Sequence, residues 1–128
     1  MIDIEARELA VTVAQIADDE HGNDILVLAV GDVLAIAEYF VLISASNRRL
    51  VRTIVEEVEE QAKILVDRAP RRVEGIAEQQ WVLIDYGDVV VHVFLKEIRD
   101  FYEIERLYTD VPKVDWQHPP AADRQSSD

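Results

Sequence analysis

Residues 81–94, WVLIDYGDVVVHVF, place two carboxylates (Asp85, Asp88), an imidazole (His92), a phenol (Tyr86) and an indole (Trp81) inside a run otherwise greasy enough for a protein interior. Metal binding, acid/base catalysis and partner binding are the chemistries to weigh. If the run is a hairpin, Asp88 and His92 lie roughly 13 Å apart along one strand, at about 3.3 Å per residue, too far to share one ion. Asp85 and Asp88 could clasp a divalent cation, but two carboxylates without a third defined ligand are a thin set. His92 has no serine or cysteine beside it to activate, and Ser44 and Ser46 read as turn or helix-cap residues. With only four glycines and neither common phosphate-loop pattern, the chain gives no reason to expect a nucleotide or other cofactor. The cluster Asp18-Asp19-Glu20-His21 reads as a solvated helix end.

What remains is recognition of another protein. With Tyr86-Gly87 taken as a two-residue loop, alternation puts Asp85 opposite Asp88, Leu83 opposite Val90 and Trp81 opposite His92 on one face. Val82, Ile84, Val89, Val91 and Val93 form the other face, which is uniformly β-branched or aliphatic and belongs to the core. Like charges directly across strands are destabilising, so something must offset the aspartate pair. A basic partner, a cation or solvent at the hairpin tip would each do so. Trp and Tyr supply anchor area while acids select a basic partner, so the mixed face fits a protein-binding patch; the alternative is that Trp81 packs under a neighbouring helix.

Apolar residues at helical spacing (Ala6, Leu9, Val13, Ile16, Ala17) predict a first helix over 3–20, capped near Gly22. Two β-rich runs, 24–30 and 38–45, predict neighbouring strands. Leu50, Ile54, Val58, Ala62 and Leu65 predict a long helix over about 47–67, capped by Ser44 or Ser46 and stopped before Pro70. A short edge strand at RRVEG precedes the hairpin, and Ile98, Phe101, Ile104, Leu107 and Tyr108 predict a last helix from Glu97 to Thr109. The fold class is therefore α/β or α+β: a mixed β-sheet flanked by helices, with some parallel pairing because a helix crosses over between strands. Residues 1–110 read as one domain and 111–128, rich in proline, serine and charge, as a flexible tail in which Trp116 is a stray aromatic or a short docking element.

Thirteen basic against twenty-six acidic residues give a net charge of −13, which works against direct nucleic-acid or anionic-membrane contact; a macromolecular partner, if there is one, is then basic, and the alternative is that the charge only keeps the chain soluble. The chain has no cysteine, no greasy membrane-spanning run and an acidic, amphipathic start, which together lead us to expect a cytoplasmic protein.

The segments AEYFVLISASNRRLVRTIVEEV (37–58), EGIAEQQWVLIDYGDVVVHVF (74–94) and RDFYEIERLYTD (99–110) arrive in the order and spacing of the Iojap-like ribosomal silencing factors, which the chain resembles over residues 3–110. Ala45 departs from the family's usual glycine and Tyr108 from its usual tryptophan. The resemblance implies a nucleotidyltransferase-like fold without the activity, and the chain indeed lacks a Gly-Ser followed by an Asp-x-Asp pair. It also implies a non-enzymatic factor that binds large-subunit ribosomal protein fourteen, blocks subunit joining and represses translation in starvation, in many members as a homodimer. By position, the ribosome-binding residues it implies are Trp81, Asp85, Tyr86 and Asp88, with His92 and Arg99.

Overall fold

The computed structural model describes residues 4–117. Helix α1 (Ile4–Asp19) is followed by strands β1 (Asn23–Ala29) and β2 (Tyr39–Ala45), helix α2 (Arg48–Val66), strands β3 (Arg72–Glu74), β4 (Trp81–Asp85) and β5 (Val89–Leu95), and helix α3 (Lys96–Tyr102). A 3-10 helix, Ile104–Tyr108, comes after α3. The five strands form one mixed sheet in the order β1-β2-β5-β4-β3, antiparallel except for β2 beside β5. The expected mixed sheet with flanking helices is thus what forms, as an α+β domain; the crossover does give some parallel pairing, but with β5, while β3, the next strand along the chain, lies at the far edge. Central position explains the composition of β2: all seven of its residues are buried, so it reads as unbroken apolar sequence.

Helices α1 and α2 cover one face of the sheet. Ala6, Leu9, Val13, Ile16 and Ala17 are buried as expected, joined by Ala10 and Ala14, and the alanines let α1 approach α2 and the sheet closely. On α2 the buried stripe is Val51, Ile54, Val55, Val58 and Ala62; Leu65 is exposed, so the true stripe runs one position later at its start and ends sooner. The cap of α2 is neither Ser44 nor Ser46 but Asn47, whose Oδ1 accepts the Leu50 amide at 2.8 Å. Asn at this position satisfies an amide that no helical carbonyl reaches. At the end of α1 the left-handed residue is His21, at φ 70°, and the Gly22 amide then donates to the Ala17 carbonyl.

The other face is covered only in part, by α3, the 3-10 helix and the β1–β2 connection, over a second core of Leu28, Val30, Ala37, Phe40, Leu42 and Phe94. The single helix expected from Glu97 to Thr109 is two pieces. Glu103 adopts φ 46°, which breaks the helix and redirects the chain, so Ile98, Ile104 and Tyr108 reach the sheet while Phe101 and Leu107 are left exposed.

The segment expected to be a tail is docked over its first seven residues, 111–117. The Pro112 carbonyl accepts from Ala29, Val114 donates to Val27 and is buried, and Trp116 donates its indole N–H to the Ile25 carbonyl at 3.2 Å. Gln15 on α1 donates to the Trp116 carbonyl. Trp116 is therefore a docking element for its own domain, and the strap occupies the outer edge of β1, where unpaired backbone groups would otherwise invite another strand. The rest of the expected tail, 118–128, lies outside the described residues.

Candidate protein-binding site

Strand alternation sorts β4 and β5 as the sequence predicts: Val82, Ile84, Tyr86, Val89, Val91 and Val93 enter the helix-side core, and Trp81, Leu83, Asp85, Val90 and His92 lie on the opposite face with Phe94. The register differs by two. Asp85 pairs with Val90, Leu83 with His92 and Trp81 with Phe94, and the Tyr86 amide donates to the Val89 carbonyl, so the two-residue loop is Gly87-Asp88. Gly87 takes φ +93° at the first loop position, a conformation that a tyrosine there would adopt only with strain. Tyr86 instead follows directly on β4, its amide bonded across to Val89, and is buried in the helix-side core. Because a shift of two preserves parity, the faces survive although the pairs do not.

The acids of the turn are not opposed to one another, and each has an arginine of its own chain. Arg68 Nη2 lies 2.6 Å from Asp88 Oδ1 and also donates to the Tyr86 carbonyl; Arg72, opposite Asp85 in the β3–β4 pairing, lies 3.3 Å from Asp85 Oδ2. Asp85 further accepts the Gly87 amide at 2.7 Å. The offset expected from a basic partner, a cation or solvent is therefore not called for: the acids do not face one another, and each is paired with a basic group of the chain itself, which the sequence reading did not foresee. Among the described residues no set of three or more His, Cys, Asp or Glu is placed to hold a metal.

At the opposite end of the hairpin, roughly 13 Å along the strand, Trp81 sits in an aromatic nest. Its ring centroid is 4.8 Å from Phe94 and 5.4 Å from Tyr102, and its Nε1 donates to His92 Nδ1 at 3.2 Å. His92 is 7% exposed, edge-on to Phe40 at 4.8 Å and stacked with Phe94 at 6.0 Å. Burial, helped by the nearby Arg99 cation, pushes the His92 pKa down to about 4, so the ring is neutral near neutral pH. Tyr86 is only 4% exposed, and burial, reinforced by Glu59 and opposed by Arg68, pushes its pKa up to about 12. Arg99 turns inward as well, donating to Ser44 Oγ at 2.9 Å and pairing with Glu105 at 3.2 Å, which ties α3 and the 3-10 helix to β2.

The six residues singled out in the sequence thus separate into three groups. Trp81 and His92 are in contact on the half-open face; Asp85 and Asp88 are at the turn with Arg68 and Arg72; Tyr86 and Arg99 point into the fold. Half-buried Trp81, Leu83 and Val90, bordered by exposed Phe101 and Tyr102, form an apolar strip over β4 and β5 that no element among the described residues covers. Glu74 and Gly75 line a shallow groove beside Trp81 and Leu83. A side chain at Gly75, which has φ +89°, would collide with the Trp81 carbonyl. Sequence reasoning missed Tyr102, Arg68 and Arg72; the run Arg68, Arg71, Arg72 beside the predicted edge strand was the available signal for the last two.

A family model described as ribosomal silencing factor during starvation matches residues 3–128. The chain belongs to this family. It is 37% identical to the ribosomal silencing factor RsfS of Bacillus subtilis over 102 residues, covering 80% of this chain and 86% of that protein. A mouse protein named mitochondrial assembly of ribosomal large subunit protein 1 is 32% identical over 92 residues, which cover 70% of this chain and 40% of the mouse protein. Among solved structures, a Chromobacterium violaceum protein superposes with a TM-score of 0.74 at 29% identity, covering 94% of this chain and 97% of that one.

Proposed function

We propose that this chain silences translation by docking the apolar strip around Trp81 on large-subunit ribosomal protein fourteen, where its bulk excludes the small subunit. The observation that carries the reading is the strip itself: an indole held in an aromatic nest yet half open to solvent, with exposed aromatic side chains at its border. Interface anchors have this character. The net charge of −13 supplies long-range attraction to a basic ribosomal protein and repulsion from bare RNA. Asp85 and Asp88 are offset by Arg72 and Arg68, so the turn adds little to that field, which comes from the excess acids elsewhere on the surface. The action is steric and non-enzymatic, in the cytoplasm with the ribosome, and the homodimer implied by the resemblance is not required for it.

A second reading is a role in assembly of the large subunit that leaves subunit joining unblocked; the name of the mouse relative supports its assembly part. Titration calorimetry of the chain against isolated protein fourteen tests the partner. One chain bound per protein is expected; no heat with the isolated protein, alongside intact cosedimentation with large subunits, would place the docking site elsewhere on the ribosome.

A further inference from the structure

We infer that His92 is a positioning residue for the docking strip: its imidazole accepts the Trp81 indole N–H, so the partner meets only the carbon atoms of that ring. The inference rests on the docking reading above and specifies its chemistry. Trp81 carries a single hydrogen-bond donor, Nε1, and that donor is spent internally on His92 Nδ1 at 3.2 Å. A nitrogen that accepts carries no proton, so the imidazole proton resides on Nε2. His92 Nε2 is buried and has no hydrogen-bond partner among the described residues. Burying an unpaired polar atom is unfavourable. Between Phe40 and Phe94, a phenylalanine at position 92 would fill the same space with no such penalty. What phenylalanine lacks is the acceptor for Trp81.

The bond turns the polar atom of the indole toward the sheet, while Phe94 and Tyr102 limit the ring from their sides. Recognition at Trp81 is then by aliphatic side chains or by a guanidinium stacked on the ring, both suited to a basic partner, and not by a carbonyl or carboxylate accepting from Nε1.

The test compares the full-length parent chain with H92F, H92N and W81A. The Trp81 indole N–H resonance is read in the free protein, assigned against W116F, and affinity for purified large subunits is read by cosedimentation. H92F should move the Trp81 indole resonance, speed its solvent exchange and weaken binding roughly five- to tenfold, the worth of one neutral hydrogen bond. H92N, whose amide oxygen occupies the region of Nδ1, should recover most of both readouts. An H92F chain that keeps the parent resonance, or that loses it and still binds like the parent, would overturn the positioning role. If W81A itself binds like the parent, the docking reading fails; the indole signal, being read without the ribosome, tells that failure from the first.

Discussion

A Trp81→Ala chain is expected to bind large ribosomal subunits about thirty- to a thousandfold more weakly than the parent while keeping its fold. The range corresponds to roughly 2–4 kcal/mol, the cost of truncating a central aromatic anchor. Trp81 has the geometry for such an effect: it is ordered in advance by Phe94, Tyr102 and His92, so little side-chain freedom remains to be lost on binding, yet it is half open to a partner. The fold should survive because the neighbouring Val82 and Ile84 face the opposite core and are fully buried there. Cosedimentation with purified subunits, alongside circular dichroism of the free chain, separates lost binding from lost structure. Parent-like cosedimentation would remove Trp81 from the site.

The second large effect is on stability below neutral pH. His92 has a pKa lowered to about 4 by burial, from an ordinary value of 6.5. The unfolded chain therefore takes up a proton that the folded chain refuses between those values, and stability falls as pH falls through that window. Above about pH 6.5 neither state is protonated at His92 and the full contribution is present; below about pH 4 both are, and it is gone. The shift is worth on the order of 3 kcal/mol, with about 2 kcal/mol lost by pH 5. Urea unfolding of the parent and H92F at pH 7 and pH 5 reads this directly, because the carboxylates common to both chains cancel in the comparison. The parent should lose about 2 kcal/mol more than H92F; equal losses would mean that His92 is not held neutral by its surroundings.

How far these residues were legible in the sequence depends on the range of the interaction that places them. The two faces of the hairpin were legible because alternation is a local property and survives a register shift of two. The register was not, because it turns on whether Gly87 is the first or the second loop residue, and that is decided by the left-handed φ required at the first position together with the burial of Tyr86 in the core. Strand β2 and helix α2 were legible from unbroken apolarity and from a long amphipathic stripe. The break at Glu103 was hidden because a non-glycine residue in the left-handed region leaves no compositional mark. Docking of residues 111–117 was hidden too: Val114 and Trp116 alternate with polar Lys113, Asp115 and Gln117 and reach partners on α1 and β1 about ninety to a hundred positions away.

The most consequential miss concerns the turn. Asp85 and Asp88 read as acids awaiting a basic partner, and their pairing with Arg72 and Arg68 depends on the chain between α2 and β4 folding back along the hairpin. Desolvating a charge already paired within the chain gains less than meeting a free one. In the proposed docking the weight therefore moves from the acidic turn to the aromatic strip at the other end of the strands.

Steric exclusion itself is tested by subunit joining. Purified small and large subunits are mixed under conditions that yield joined ribosomes, with and without a stoichiometric amount of the chain, and resolved by sedimentation. Free subunits should persist when the chain is present, with the chain in the large-subunit fraction. An unchanged yield of joined ribosomes, with the chain still bound to large subunits, would contradict the blocking mechanism and favour a role in assembly alone.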